Sequence, residues 1–227
     1  QQLPPIHLTN QYNEEIEPIN LDDYILQNEI GKGSYSKVYL AKEKKTGDIC
    51  AAKVLKSEID SFDDESINIS REINIHAKLN HPSILRFIGY SLTDFKKRPR
   101  LVILAEHATG GSLKQFIKSQ RDSNSNIIDT TKLIIIYGIA SAMSYLHSHK
   151  IIHRDLSPNN ILIDNFIPKI SDFGLSNLNS MSIGSIDALK GTPVYIAPEI
   201  YREYDYNYPG DVYAFSIIVF ELLTNQV

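Results

Sequence analysis

The stretch His153-Arg154-Asp155-Leu156-Ser157-Pro158-Asn159-Asn160 follows a long, apolar, helix-like run of the sequence. It places a carboxylate, Asp155, five residues before an amide, Asn160, and a second carboxylate opens Asp172-Phe173-Gly174 twelve residues further on. Taken alone, Asp and Asn at such a spacing are typical of a loop turn, because turns are rich in both residues. Carboxylate and amide oxygens also suit Mg²⁺, so this stretch is the first candidate for chemistry.

The sequence upstream of that stretch predicts a small antiparallel sheet with one helix. Short runs of strand-forming residues alternate with turn signals. The runs cover Tyr24–Ile30, Lys37–Ala41, Ile49–Leu55, Leu85–Tyr90 and Leu101–Ala105. Between the third and fourth runs, apolar residues at helical spacing predict a helix over Ser66–Leu79, which His81-Pro82 ends. The basic run Lys96–Arg100 reads as a surface hairpin, with a nuclear signal as the alternative.

After Gly110-Gly111 the sequence becomes helical. We expect helices at Leu113–Ser119, Asp129–His149 and Asp211–Thr224, and a polar connecting loop at Ser119–Asn126. Asp129 and Thr130 are expected to cap the long helix. The fold class is therefore α+β, with a β-rich part followed by a mainly helical part.

Composition excludes several classes of protein. The chain has 227 residues, of which 42% are apolar and 22% charged, and a single cysteine, Cys50. These values are ordinary for a globular protein, and one cysteine excludes an internal disulfide framework and fits a reducing compartment. Residues 1–22 are acidic and polar and read as an extension or linker, whereas the rest of the chain is nearly neutral. Without a basic patch we expect no nucleic-acid partner, and no run is apolar enough for a membrane segment.

A glycine-rich stretch, Gly31-Lys32-Gly33-Ser34-Tyr35-Ser36-Lys37-Val38, joins the first two predicted strands. Glycines let a backbone turn tightly and approach phosphate oxygens, to which its amide groups then donate. By itself the pattern is weak, and taken alone it favours an ordinary hairpin turn. Because it joins strand to strand and not strand to helix, a Rossmann dinucleotide loop is disfavoured.

Taken in order, four motifs resemble the signature set of the protein kinase family. They are Ala51-Ala52-Lys53, the His153–Asn160 stretch, Asp172-Phe173-Gly174 and Ala197-Pro198-Glu199. The resemblance covers residues 24–227 and is closest in style to the tyrosine-kinase-like group of Ser/Thr kinases. It implies a two-lobed kinase fold over residues 23–227, with an N-lobe at 23–105, a hinge at 106–109 and a C-lobe at 110–227. The family's last helices would be missing after Val227, so we expect an incomplete C-lobe.

The same resemblance implies roles for individual residues. Lys53, paired with Glu72, would hold the ATP phosphates, Asn160 and Asp172 would bind Mg²⁺, and Asp155 would accept the proton of the attacking hydroxyl. An Asp at position 211 would brace the catalytic loop. The implied nucleotide-binding residues are Ile30, Gly31, Lys32, Gly33, Ser34, Val38, Ala51, Lys53, Glu106, Ala108 and Asp172.

Two further expectations concern inhibitors and activation. Ala105 stands at the position of the kinase gatekeeper, where larger residues are usual, so we expect room behind the adenine. Arg154 precedes Asp155, an arrangement that often captures a phosphate on the activation segment. A serine among Ser180, Ser182 and Ser185 is the favoured phosphosite, with an upstream activating kinase as a partner.

The expected activity is transfer of the ATP γ-phosphoryl group to Ser/Thr hydroxyls of cytoplasmic proteins in signal transduction, with tyrosine left open. The alternative is a pseudokinase-like scaffold, because Ser157 replaces a lysine and His76 replaces an apolar residue of the family pattern. Losing the lysine's contact costs about 1.5–3 kcal/mol, so slow turnover is expected. His76 could be buried or could point to solvent. A small-molecule kinase is disfavoured by the peptide-substrate style of Gly191–Glu199.

Overall fold

The computed structural model describes residues 9, 14–33, 36–58, 73–123, 127–173, 177–178, 193–203 and 206–224. The chain divides into two compact units. Unit one is formed by Gln1–Asn80 with Arg86–His107, and unit two by His81–Leu85 with Ala108–Val227. Each unit is built around its own buried residues.

Unit one holds a five-stranded antiparallel sheet with the strand order β1-β2-β3-β5-β4. The strands are β1 Tyr24–Lys32, β2 Ser36–Glu43, β3 Ile49–Leu55, β4 Phe87–Ser91 and β5 Val102–Glu106. The predicted antiparallel sheet is confirmed, and β3 has the predicted bounds. β1 and β4 are the edge strands, which leaves one side of each without a partner in the sheet.

Alternating side chains divide the apolar residues of unit one between the two faces of the sheet. One group, the helix-side cluster, consists of Leu55, Ile73, Tyr90, Leu101 and Ile103. The other, the opposite cluster, consists of Leu21, Ala41, Cys50, Ala52, Val102 and Leu104. The alternation of Val102, Ile103 and Leu104 between the two clusters fixes the register of β5, because a slip by one residue would exchange the faces.

Residues 73–78 are helical and pack on the helix-side cluster through Ile73, which is fully buried. The rest of the helix predicted at Ser66–Leu79 lies outside the described residues, apart from Leu79, which is buried. His76 is only 6% exposed, and its ring meets Phe87 edge to face at 5.5 Å. The interpretation of His76 as a side chain pointing to solvent is therefore wrong.

The basic run between β4 and β5 is held by acidic groups of unit one. Lys97 Nζ lies 2.6 Å from Asp22 Oδ1, and Arg100 lies 3.4 Å from Glu58. Asp94, which is 3% exposed, accepts the side chain of Arg98 as well as two backbone amides of the loop. These pairs favour the hairpin interpretation of Lys96–Arg100 over a free nuclear signal.

Unit two is mainly helical. Its helices are α1 Leu113–Asp122, α2 Asp129–Ser148, α3 Pro198–Glu203 and α4 Tyr208–Thr224, and its short strands are β6 Ile151–Ile152, β7 Ile161–Asp164, β8 Ile167–Ile170 and β9 Asn177–Leu178. β8 packs against α2 at Gly138, where an added Cβ would lie 2.5 Å from Pro168 Cγ. That close approach explains a glycine in the middle of a long helix. Within the described ranges, no helix combines the length and the apolar character needed to cross a bilayer.

α4 begins at Tyr208, before the predicted start at Asp211, and one helix end and one helix cap also differ from the prediction. α1 continues through Asp122, so residues 119–122 are not part of a loop; Ser112 and Gln115 form a capping box that starts this helix firmly, and Gln and Arg extend it well. α2 begins at Asp129 with Ile128 as its N-cap and no side-chain cap. Asp129 instead lies in the first turn, where a carboxylate complements the helix dipole.

Candidate active site

The loop at residues 153–160 is anchored by a buried carboxylate on α4. Asp211 is 1% exposed and accepts hydrogen bonds from the backbone amides of His153 at 2.9 Å and Arg154 at 3.0 Å. Hydrogen bonds to a charged acceptor are stronger than neutral ones. The predicted brace from Asp211 to the catalytic loop is confirmed.

His147 is a site residue that the sequence did not reveal. It lies in the last turn of α2, and its Nε2 donates to Asp211 Oδ2 at 2.9 Å. The only sequence signal is a polar ring at the end of an apolar helix, and its partner is distant in the chain. His147 orients the Asp211 carboxylate toward the loop amides.

His153 connects the loop to the segment that carries Asp172. Its Nδ1 accepts the backbone amide of Asp155 at 3.3 Å, and its Nε2 lies 3.1 Å from the carbonyl of Ser171. Because a carbonyl only accepts, Nε2 carries the hydrogen and the ring is the neutral tautomer. The ring also meets Phe173 edge to face at 5.3 Å. The buried His153 ring is therefore hydrogen-bonded to the backbone at Asp155 and to the backbone that directly precedes Asp172.

Asn160 is hydrogen-bonded directly to Asp155. Asn160 Nδ2 donates to both the carbonyl and Oδ2 of Asp155, each at 2.8 Å. The carbonyl of Asn160 accepts from the backbone amide of Ser171 at 2.8 Å and from its hydroxyl at 3.0 Å. These bonds bring together three predicted site positions, since Ser171 directly precedes Asp172.

The oxygens of this group suit a magnesium ion. With Nδ2 committed to Asp155, Asn160 Oδ1 accepts no hydrogen bond from any residue in the described part of the chain. The side chain of Asp172 is exposed. An amide oxygen and an exposed carboxylate match the donor set that Mg²⁺ takes alongside water and phosphate.

Two residues of the group adopt left-handed backbone conformations that non-glycine residues rarely use. Arg154 has φ of 69° and Asp172 has φ of 64°. Each such residue costs about 1–3 kcal/mol and persists where its surroundings fix it, often at functional sites. The amide of Arg154 is held by Asp211, which supplies that constraint.

Four of the predicted nucleotide residues of unit one share one face of its sheet, namely Gly31, Val38, Ala51 and Lys53. Lys53 on β3 lies opposite Val38 on β2 and Ile103 on β5, and Val38 lies opposite Gly31. Because Ile103 belongs to the helix-side cluster, Lys53 stands on the face on which residues 73–78 pack. Glu72 and Ser34 lie outside the described residues, so the Lys53–Glu72 pair stays a prediction.

The remaining predicted positions are distributed over both units. Glu106 ends β5, and its amide donates to the Arg86 carbonyl at 2.9 Å. Ala108 is buried at the start of the main part of unit two. Ile30 and Lys32 are on β1, Gly33 directly follows it, and Ala51 is on β3 opposite Ala105.

The predicted phosphosites at 180–185 lie outside the described residues.

Ser157, the departure from the kinase pattern, is completely buried. Its hydroxyl makes no hydrogen bond to any residue within the described ranges. The slow turnover expected from the serine at this position stays a prediction.

A buried pair lies below the segment that precedes α3. Tyr195 Oη donates to Glu221 Oε1 at 2.7 Å, and both residues are less than 10% exposed. Burial raises the pKa of Glu221, while the bond from Tyr195 and the charge of Lys114 oppose the rise without reversing it. Burial, followed by the nearby Glu221, also raises the pKa of Tyr195.

The raised pKa of Glu221 predicts a pH-dependent stability. Between the ordinary carboxyl pKa and the raised one, the folded state binds more protons than the unfolded state, so stability falls as pH rises through this window. We expect Glu221→Gln, which keeps an acceptor for Tyr195, to reduce this fall in unfolding free energy measured with urea from pH 4.5 upward. Asp122→Asn, an exposed carboxylate of the same unit, is the matched control. Identical pH profiles for Glu221→Gln and the parent would contradict the prediction.

Comparison with known proteins agrees with this geometry. The model of the protein kinase domain family matches residues 24–227. The chain is 35% identical over 208 residues to the Aurora kinase of Saccharomyces cerevisiae, covering 91% of this chain and 54% of that protein. It is 35% identical over 208 residues to the Aurora kinase of Candida glabrata, with 90% and 55% covered. It is also 35% identical over 217 residues to the "Probable serine/threonine-protein kinase PknB" of Lactococcus lactis, with 94% and 33% covered.

The chain thus spans about half the length of the Aurora kinases that it matches, and a third of the bacterial protein. The narrower similarity to the tyrosine-kinase-like group stays a prediction. With the family model matched over most of the chain, and with the predicted α+β fold present, this chain belongs to the protein kinase domain family.

Proposed function

We propose that this chain is an ATP-dependent protein kinase that transfers the γ-phosphoryl group of ATP to serine and threonine hydroxyls of protein substrates. The observation that carries the proposal is the bonded group of unit two, in which Asn160 donates to Asp155 and accepts from Ser171, next to Asp172. A base and two metal-binding oxygens are what phosphoryl transfer requires from this part of a kinase.

In this proposal each polar side chain of the group has one task. Asp155 orients the attacking hydroxyl and accepts its proton, while Asn160 Nδ2 fixes the plane of the Asp155 carboxylate. Asn160 Oδ1 and the Asp172 carboxylate hold Mg²⁺, which neutralises charge on the phosphate oxygens. His153 and Asp211 keep these groups at fixed positions and touch neither substrate.

The nucleotide is proposed to bind along the face of the unit-one sheet that carries Lys53. Gly31 and Gly33 support this, because neither has a positive φ and an added Cβ would meet no atom of the described residues closer than 3.5 Å. The fold itself therefore does not require glycine at either position, whereas close approach of a phosphate would. Lys53 would steady the phosphates with Glu72 as its partner, and Glu106 and Ala108 would offer backbone groups to the adenine.

Protein substrates, an upstream activating kinase and a cytoplasmic location complete the proposal. The name of the bacterial relative supports serine and threonine as acceptors. Cys50, the single cysteine of the chain, is buried and fits a reducing compartment. Arg154, adjacent to Asp155, would contact an activation-segment phosphate, as in the family pattern.

The proposal is tested by incubating the purified chain with γ-labelled ATP, a mixture of generic protein substrates and Mg²⁺, followed by phosphoamino-acid analysis. We expect label on serine and threonine, and no label when the metal is chelated. Label on tyrosine alone would contradict the acceptor class. Bound nucleotide with no transfer to any substrate would favour the alternative function, a pseudokinase-like scaffold. The observation that supports this alternative is the serine at position 157, where the family pattern has a lysine.

Ala105 provides a prediction about inhibitors. It lies on β5 opposite another alanine, Ala51, and near Phe87 on β4. If the adenine site adjoins this small side chain, inhibitors with a bulky group behind the adenine are accepted. Ala105→Phe should weaken them by about 1–3 kcal/mol, or roughly 5- to 150-fold in Kd, by overfilling the space. Ala105→Ser is the control variant, and equal affinity for the parent and Ala105→Phe would contradict the prediction.

A further inference from the structure

The segment at residues 16–22 precedes the part of the chain that the kinase family model matches, yet it is bonded to the sheet of unit one. The amide of Ile19 donates to the carbonyl of Tyr90 on β4 at 2.8 Å. The hydroxyl of Tyr90 donates to the carbonyl of Ile16 at 3.3 Å. Because β4 is an edge strand, the segment supplies partners to backbone that the sheet leaves open. We call residues 16–22 the edge strap.

The edge strap passes from one face of the sheet to the other. Ile16 packs against the helix-side cluster, whereas Ile19 packs against the opposite cluster, of which Leu21 is a buried member. A segment that only lay along the surface would contact a single face. The apolar residues therefore hold the strap around the edge of β4.

The fit between the strap and β4 is close. An added Cβ at Gly89 would lie 2.6 Å from Ile19 Cγ2, and its three nearest atoms all belong to Ile19. Polar contacts fix the far end of the strap, where Asp22 pairs with Lys97 at 2.6 Å and its carbonyl accepts from Lys44. The strap is thus anchored along its whole length.

The strap also reaches the helical residues 73–78. Ile16 shares the helix-side cluster with Ile73, which is fully buried and directly follows Glu72 in sequence. Just upstream, the amide of Thr9 donates to Asn74 Oδ1 at 3.4 Å. Ile16 is therefore packed against the cluster that contains Ile73, the residue next in sequence to the proposed partner of Lys53.

We propose that the edge strap is a positioning element for the phosphoryl-transfer reaction: by packing Ile16 against the helix-side cluster, which contains Ile73, it holds residues 73–78 on the face of the sheet that carries Lys53. The proposal rests on the proposed kinase function for its effect on turnover, but its effect on the helical residues is independent of that function. Loosening the strap frees these residues and lowers kcat, while the core of the sheet stays folded.

The test compares hydrogen exchange and kinetics in strap variants of the full chain. Ile16→Ala removes packing of the strap against the helix-side cluster, and Gly89→Ala displaces Ile19 without changing the sequence of the strap. Both variants should speed amide exchange at residues 73–79 by roughly tenfold or more, because a local loss of packing favours local opening. Exchange in β2 and β3 should change much less. Glu17→Ala, an exposed position of the strap, is the matched control.

Kinetics separate positioning from a general loss of stability. Val102→Ala in the opposite cluster serves as a comparison variant of similar destabilisation. Ile16→Ala should lower kcat several-fold more than Val102→Ala does. Ile16→Val, which keeps most of the apolar side chain, should keep most of the parental kcat. Unchanged exchange at residues 73–79 in both strap variants, or an equal loss of kcat in Val102→Ala, would overturn the proposal. A parent chain without transfer activity would refute the kinase function, while the exchange result would still decide whether the strap holds the helical residues.

Discussion

Asp155→Asn is expected to lower phosphoryl transfer to protein substrates by about 10²–10⁴-fold, the range for loss of a positioned general base. The substitution removes the negative charge and the proton acceptor but preserves the shape of the side chain. An asparagine at 155 still offers an oxygen to Asn160 Nδ2, which donates to Asp155 Oδ2 at 2.8 Å in the parent. The loop should therefore keep its conformation, and the fall should appear in kcat.

The measurement is steady-state transfer from γ-labelled ATP at saturating nucleotide, together with the affinity for ATP and Mg²⁺. Nucleotide affinity should change by less than about tenfold, because Asp155 is not among the proposed phosphate or metal ligands. Asp164→Asn, a carboxylate at the end of β7 in the same unit, is the matched control. An Asp155→Asn variant that retains more than about a tenth of parental kcat would exclude Asp155 as the base.

Asp211→Ala is expected to lower the free energy of unfolding by about 3–5 kcal/mol, because it leaves buried partners of a charged group unpaired. The backbone amides of His153 and Arg154 and the ring of His147 would lose their acceptor together. Arg154 would also lose a bond that holds its left-handed backbone. Transfer activity should fall with the loop, even under conditions where the variant is folded.

Urea unfolding followed by far-UV circular dichroism measures this loss. Asp129→Ala, an exposed carboxylate at the start of α2, is the control and should cost less than about 1 kcal/mol. The pair separates the effect of burial from that of removing an aspartate. A loss below about 1 kcal/mol in Asp211→Ala would show that the carboxylate does not hold the loop.

The parts of the fold that were predicted correctly depend on local patterns. β3 is a run of strand-forming residues between clear turn signals, and its bounds match the prediction. Helix ends were less predictable, because α1 continues through polar residues as far as Asp122 and α4 begins at Tyr208, before the predicted Asp211. Composition alone does not distinguish a polar helical turn from a loop.

The candidate site likewise combines residues that were predicted from the sequence with residues that were not. The family resemblance implied that Asp155 and Asn160 belong to one site, and the structure adds a hydrogen bond between their side chains. His147 escaped notice because its partner, Asp211, is 64 residues away. The edge strap was not predicted, because its acidic composition resembles that of a linker. The packing of Ile16 and Ile19 depends on the edge of the sheet, which the local sequence does not indicate.

The proposed roles of Lys53 as a phosphate ligand and of Asn160 and Asp172 as Mg²⁺ ligands are tested with an ATP analogue that carries a lysine-reactive acyl group on its terminal phosphate. Peptide mapping then identifies the labelled lysine. We expect label on Lys53 that requires Mg²⁺, is displaced by ATP and falls sharply in Asp172→Asn but not in Asp122→Asn. Label on other lysines, or label on Lys53 that is unchanged in Asp172→Asn, would contradict these roles.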